Sequence, residues 1–102
     1  MNSKLTTFLK FRHFALIEAI ADQGTMHRAA TALHMTQSTA SKMLADLETI
    51  LGAALFDRAP RGMTPTPLGR YALAVARTQT SNIARFEEDF IARRDGGYGT
   101  LS

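Results

Sequence analysis

The chain has 102 residues, 45% of them hydrophobic, which is the size of one small domain with room for an appended helix. It contains no cysteine, which excludes disulfides, thiolate metal sites and cysteine nucleophiles. Its apolar runs fall far short of the ~20 residues of a membrane span, and no signal-peptide core follows its N-terminus, so a cytoplasmic protein without a membrane partner is expected. Twelve Lys and Arg against nine Asp and Glu give a net charge of +3, which suits a polyanionic partner without identifying one.

The first predicted helix spans about residues 7–22, because apolar residues recur there at helical spacing. Gly24 follows as a natural end of that helix, since glycine adopts the left-handed backbone conformation without strain. The inward face of the helix is expected to consist of Phe11, Phe14, Ile17 and Ile20.

A short second helix and a longer third helix follow, with a break of only three residues, 34–36, between them. Thr25 is the predicted N-cap of the second helix and Thr36 that of the third. His34 is expected to have a positive φ, and Gly52 is expected to end the third helix. The inward residues are predicted to be Met26, Ala29, Ala30 and Leu33 in the second helix and Ala40, Leu44, Leu47 and Leu51 in the third.

A β-hairpin is predicted next, with Leu55 and Phe56 in its first strand and Met63 and Thr64 in its return strand. The tip of this hairpin is basic, because it carries Arg58 and Arg61. Three helices followed by a hairpin predict a mainly α fold, the winged helix-turn-helix, with the hairpin as its wing.

The last predicted helix begins at Thr66 and Pro67, an N-cap followed by a first-turn proline, and runs to about residue 94. Such a helix is about 40 Å long, too long for a small domain to bury its whole apolar stripe, so the stripe favours a partner helix. The stripe consists of Leu68, Ala72, Val75, Ile83, Phe86 and Phe90. Its first part, from Leu68 to Val75, is expected to pack on the domain. The predicted dimer contacts are Val75, Gln79, Ile83, Phe86 and Phe90.

The opening turns of the third helix carry hydroxyls and amides where Ala, Leu, Glu or Lys would favour the helix more. In a DNA major groove these turns meet the base edges, and residues 36–45 contain one cation and no anion. The alternative, in which these side chains form only a solvated helix face with Thr36 as a simple cap, is disfavoured because Gln37 and Ser41 add nothing to capping. The predicted contacts with bases or phosphates are Thr36, Gln37, Ser38, Thr39, Ser41 and Lys42.

The hairpin and the second helix extend the predicted DNA-binding surface. Arg61 lies between Pro60 and Gly62 and is suited to a narrow minor groove. Arg28 is expected to hold the DNA backbone, and Thr25 is a further predicted DNA-binding residue. The chain is therefore predicted to be a sequence-specific, double-stranded DNA-binding transcriptional regulator.

The acidic residues of the third helix, Asp46 and Glu48, are expected away from the DNA because they lie in its later turns. Glu48 is predicted to form a structural ion pair with Arg58, which would join the third helix to the wing. Arg77 and Arg85, on the last helix, are predicted to be solvated.

The pattern AA..L..TQS..S..L..LE..LG..LF.R...G...T..G, residues 29–69, resembles the DNA-binding domain of LysR-type transcriptional regulators, and the flanking segments extend the resemblance to about residues 8–94. The resemblance implies a homodimer held by antiparallel linker helices, binding to an interrupted inverted repeat, and an assembly of two dimers. It places the family's base and phosphate contacts on Gln37, Ser38, Ser41 and Lys42, with the wing contact on Arg61. Lysine at position 42, where the family often has arginine, suits phosphate binding better than base reading.

The resemblance also implies a domain organisation. Residues 1–65 correspond to the winged helix-turn-helix, residues 66–94 to the linker helix, and residues 95–102 to the start of an effector-binding domain. Full members of the family continue into a two-lobed domain that senses a small molecule. The chain is therefore expected to be a fragment of a longer regulator, with no cofactor of its own.

Other functions fit the residues less well. A winged-helix protein-interaction module is the alternative to DNA binding. An enzyme is disfavoured, because the sequence contains no nucleophile with a neighbouring base, no Gly-rich phosphate loop and no predictable acid pair. His13, His27 and His34 lack carboxylate partners at metal-ligand spacing and are predicted to be surface or turn residues.

Overall fold

A computed structural model describes residues 3–96, which form five helices and a two-stranded antiparallel hairpin. The fold is a mainly α winged helix-turn-helix that ends in a long helix, as the sequence predicts. The segment GYGTL, expected to begin a further domain, lies outside the described residues. The elements are α1 Ser3–Phe8, α2 Phe11–Gln23, α3 Met26–Ala32, α4 Gln37–Leu51, β1 Phe56–Ala59, β2 Gly62–Pro65 and α5 Pro67–Arg94.

The predicted first helix is in fact two helices, α1 and α2, with a break at Leu9 and Lys10. Lys10 is extended, with φ −130° and ψ 164°, and its N–H donates to Nδ1 of His13 at 2.9 Å. The His13 ring is only 6% exposed and its centroid lies 4.6 Å from that of Phe8 in α1. The prediction of a surface or turn position for His13 was therefore wrong, because this side chain caps α2 and packs against α1.

The buried face of α2 is rotated from the predicted one. Leu16, Ile17 and Ile20 are almost fully buried, whereas Phe11 is 46% exposed and Phe14 is half-buried. Residues 13, 16, 17 and 20 share one side of a helix, and position 11 lies on the opposite side of it. The inward position predicted for Phe11 was therefore wrong.

The helix-turn-helix of α3 and α4 forms as predicted. Thr25 Oγ1 accepts from the Arg28 N–H at 3.1 Å, and Thr36 Oγ1 accepts from the Thr39 N–H at the same distance. His34 has the expected positive φ, 58°. Because Ala29 and Ala30 are buried and small, α3 can pack closely on its neighbours.

Most of the predicted core residues of α3 and α4 are buried. Met26 and Ala40 are buried, as are Leu44 and Leu47, and Leu33 is half-buried. Leu51 is 41% exposed, so its predicted core position was wrong. It is the last residue of α4 and lines the edge of an open apolar groove instead.

The wing consists of β1 and β2, whose register pairs Phe56 with Pro65 and Ala59 with Gly62. Leu55, predicted to lie in the first strand, is buried immediately before it. The wing is also bonded to the rest of the domain, because the Met63 N–H donates to the Gly24 carbonyl oxygen at 2.8 Å.

The predicted ion pair between Glu48 and Arg58 does not form among the described residues. Glu48 Oε2 instead accepts from the backbone N–H of Leu55 at 2.7 Å, and Arg58 is exposed. A buried amide without a partner is costly, and a carboxylate satisfies it with a charge-assisted hydrogen bond. Glu48 therefore does join α4 to the wing, but through the backbone.

The first turn of α5 lies directly against the segment before the wing. Thr66 Oγ1 accepts from the Gly69 N–H at 2.9 Å and donates to the Ala54 carbonyl oxygen at 2.8 Å. A Cβ at position 69 would lie 1.8 Å from the Leu55 carbonyl oxygen, so only glycine permits this approach. Leu68, in the same turn, is 57% exposed, so the prediction that it packs on the domain was wrong.

Further along, α5 packs against α2. Ala76 is fully buried, and Arg77 forms ion pairs with Asp22 at 2.9 Å and Glu18 at 3.6 Å. Arg77 is exposed, as predicted, although the sequence did not predict its ion pairs, and Arg85 is exposed as well. These contacts fix the direction in which α5 leaves the domain, and the described residues extend over 55 × 33 × 23 Å.

No helix within residues 3–96 has the length and apolar character needed to cross a membrane.

Candidate nucleic-acid interface

The first turn of α4 presents polar side chains outward. Gln37, Ser38 and Thr39 are exposed. The Thr36 hydroxyl donates to Thr39 Oγ1 at 2.9 Å while it caps the helix, which leaves the Thr39 proton available to a ligand. The side chains of Gln37 and Ser38 form no hydrogen bond in the part of the chain that the structure describes. Their hydrogen-bond donors and acceptors therefore face solvent.

The next turn of α4 adds the only cation of the helix. Lys42 has a side chain that is 78% exposed and forms an ion pair with Asp46, 3.3 Å away. Ser41, one residue earlier, is half-buried, so its hydroxyl is less accessible than those of the first turn. Asp46 was expected to lie away from this surface, but its carboxylate contacts Lys42. The spacing of four residues is the signal from which that pair is predictable.

The wing and α3 place further cations around α4. Arg61 is exposed in the two-residue turn between β1 and β2, and Arg28 is exposed on α3. Thr25 is half-buried and its oxygen caps α3. His27, which the sequence reasoning did not select, is exposed beside Arg28. It lines the same shallow surface, and the polar, exposed face of α3 is the signal that points to it.

Within residues 3–96 no group of three or more His, Asp or Glu side chains is placed to hold a metal ion. His27 and His34 are exposed, as predicted. Burial lowers the pKa of His13, whereas the hydrogen bond that Arg77 donates to the Asp22 carboxylate raises the pKa of Arg77.

The far half of α5 exposes large apolar side chains. Phe86 is 63% exposed, and its ring centroid lies 5.8 Å from that of Phe90. Ile83 and Gln79 are also exposed, and Val75 is half-buried. An exposed aliphatic and aromatic stripe of this kind marks an interaction surface.

Comparison with known proteins places this arrangement in a family. The sequence model described as "Bacterial regulatory helix-turn-helix protein, lysR family" matches residues 11–70, more than half of the chain. The chain belongs to the LysR family of bacterial regulatory helix-turn-helix proteins.

Two curated relatives cover nearly the whole chain. The chain is 39% identical to the HTH-type transcriptional regulator GbpR of Azospirillum brasilense over 94 residues. The match covers 92% of this chain and 28% of GbpR. The chain is 40% identical over 93 residues to the small neutral protease regulatory protein of Streptomyces coelicolor, which is 91% of this chain and 28% of that protein. The chain thus spans little more than a quarter of the length of these relatives.

Two solved structures share the fold. The CbnR_DBD–DNA complex superimposes with a TM-score of 0.75 at 30% identity, covering 84% of this chain and 99% of that chain. The BenM_DBD complex with benA site 1 DNA gives 0.79 at 25% identity, covering 86% and 99%.

Proposed function

We propose that this chain is the DNA-binding domain of a transcriptional regulator that recognises double-stranded DNA by sequence. One observation carries the proposal: the first two turns of α4 hold exposed hydrogen-bonding side chains and one cation, and no carboxylate before Asp46. The two similar solved structures are DNA complexes, which supports the same activity here.

In the proposed complex α4 lies in the major groove. Gln37 reads a base, for which its amide is suited because it can pair with both adenine N6 and N7. Lys42 contacts a phosphate or a guanine, and Arg61 enters the adjacent minor groove. The remaining proposed contacts, to bases or to the DNA backbone, are Thr25, Arg28, Thr36, Ser38, Thr39 and Ser41.

The test begins with selection of duplexes from a random pool. Lys42→Ala and Arg61→Ala should each weaken binding to the recovered duplex. Each should also make the slope of log K against log salt less steep by about one, the contribution of one phosphate contact. Arg85→Ala, which removes an exposed cation from α5, is the matched control and should leave both quantities unchanged.

Sequence reading is tested separately. Gln37→Ala should weaken binding by about 1–3 kcal/mol and relax the base preference at one position of the recovered site. Asn82→Ala removes an exposed amide far along α5 and should do neither. A protein-interaction module would recover no preferred duplex, and that result would refute the proposal.

We propose further that two copies pair through the far half of α5, antiparallel, and bind an interrupted inverted repeat. The dimer surface comprises Val75, Gln79, Ile83, Phe86 and Phe90, and a pair of dimers forms the tetramer of the whole protein. Support comes from the exposure of Phe86 and Phe90 on a helix too long to be covered by its own domain.

The length of the curated relatives supports a larger natural protein. We propose that a small-molecule effector binds to a domain that follows α5, with residues 1–65 and 66–94 as the DNA-binding and linker parts, and that the protein acts in the cytoplasm, where it meets chromosomal DNA. An intact mass of 11.2 kDa for the natural protein would refute this organisation.

A further inference from the structure

The wing contacts the start of the helix-turn-helix through a backbone hydrogen bond, beside the packing of the Met63 side chain on the core. The Met63 N–H donates to the Gly24 carbonyl oxygen at 2.8 Å, on the edge of β2 that faces away from β1. Gly62, one residue earlier, has a φ of 153°, and a Cβ there would lie 2.6 Å from the same oxygen. The contact therefore exists only because position 62 has no side chain.

This contact relates the wing tip to α4. Gly24 ends α2 and immediately precedes Thr25, the N-cap of α3. Arg61, at the tip, is covalently joined to Gly62. The backbone contact at Gly62 and Gly24 therefore limits how close the wing tip, and with it Arg61, can approach the helix-turn-helix.

The base of the hairpin is held by other contacts. Glu48 accepts from the Leu55 N–H at 2.7 Å, and the Thr66 N–H donates to the Leu55 carbonyl oxygen at 2.9 Å. Because these bonds do not involve Gly62, a change at position 62 should shift the tip of the wing while its base stays attached to α4 and α5.

We propose that Gly62 is a positioning residue, which sets the distance between Arg61 and α4 and so the spacing of minor-groove and major-groove contacts on the DNA. This inference rests on the proposed function. Binding contacts lose most of their effect when displaced by more than about 0.5 Å, and a Cβ at position 62 forces a shift of that order.

The experiment measures affinity for a duplex that the unchanged chain recovers from a random pool. Gly62→Ala and Arg61→Ala are each expected to weaken binding about tenfold, and the double variant is expected to add less than about twofold to either, since both changes remove one contact. Gly52→Ala is the matched control. It also has a positive φ, 75°, but no atom lies within 4 Å of the added Cβ.

A hydroxyl-radical footprint separates positioning from general loss of structure. Gly62→Ala should lose protection at the minor groove flanking the site and keep protection where α4 binds, with thermal unfolding still cooperative. If Gly62→Ala does not fold, Met63→Pro removes the donor to Gly24 without adding a Cβ at position 62, and the same comparison with Arg61→Ala applies.

Four results would overturn the inference. Independent effects, about a hundredfold in the double variant, would show that Gly62 does not act through Arg61. Equal affinities for Gly62→Ala and Gly52→Ala would show no positioning role. Binding unaffected by Arg61→Ala would refute the wing contact while leaving the proposed function standing, whereas failure of the unchanged chain to recover any duplex would refute both.

Discussion

His13 links α1 and α2 at the level of a single side chain, and its role depends on protonation. Nδ1 accepts the Lys10 N–H, so the nitrogen must be unprotonated, and burial lowers the pKa of the ring below its ordinary value of 6.5. A neutral ring is therefore preferred in the folded state.

The free energy of unfolding should consequently depend on pH. The stabilisation from His13 is full above pH 6.5, the unfolded value, and is lost as the pH falls from there through the lower folded pKa, because the unfolded state then binds the extra proton. Urea unfolding between about pH 5 and 8 should show this decline. His13→Gln, which retains an acceptor, should remove it, and His27→Gln, at an exposed position, should not.

Asp46 restrains Lys42 in the free chain through the ion pair at 3.3 Å. Asp46→Asn removes an anion beside the proposed DNA surface and frees the ammonium group. We expect affinity for the selected duplex to rise about two- to threefold at low salt. This is the size of effect expected from losing one exposed i,i+4 ion pair together with the repulsion between one carboxylate and the DNA. Glu88→Gln, an equal charge change far along α5, is the control, and a rise of the same size there would contradict a local effect.

At the scale of elements, the caps and most of the buried positions of α3 and α4 were predictable, whereas the point at which each apolar stripe becomes exposed was not. Thr25, Thr36 and Thr66 cap their helices through bonds to residues three positions away, so short segments of sequence contain the whole signal. Leu51 and Leu68 have correct helical spacing but remain exposed, since only the arrangement of other elements decides which part of a stripe is covered.

The break between α1 and α2 and the partner of Glu48 were missed for a related reason. Both depend on a side chain that serves a backbone N–H: His13 for Lys10, and Glu48 for Leu55 seven residues away. The spacing of apolar residues along the sequence does not predict such hydrogen-bond partners. The exposure of the polar face of α4, by contrast, was predictable, because hydroxyl side chains disfavour a helix and are not expected in its core.

The junction between α5 and the wing depends on Gly69. Gly69→Ala places a methyl group 1.8 Å from the Leu55 carbonyl oxygen, and backbone atoms on both sides must then separate. We expect the free energy of unfolding to fall by more than about 3 kcal/mol, the range of severe overpacking. Urea unfolding of Gly69→Ala against Gly52→Ala measures it, and equal losses would show that the approach is not needed.

At the scale of the whole molecule, the extended α5 makes assembly part of the proposed function. We expect the chain to sediment as a dimer at tens of micromolar and Phe86→Glu to sediment as a monomer, because a charge on the apolar stripe is costly to bury. Arg85→Glu, at an exposed neighbouring position, is the control. A monomer for the unchanged chain would contradict the dimer surface.

Since α5 is a single helix of 28 residues whose first turn lies against the segment that leads into the wing, we infer that it acts as a stiff rod. A tilt of about 5° at its base displaces the opposite end by about 3.5 Å over its length of about 40 Å, roughly one base-pair step. We infer that a force tilting the far end of α5 also rotates its first turn, and that the contact of this turn with Leu55 carries the rotation to the wing and changes where Arg61 meets the duplex.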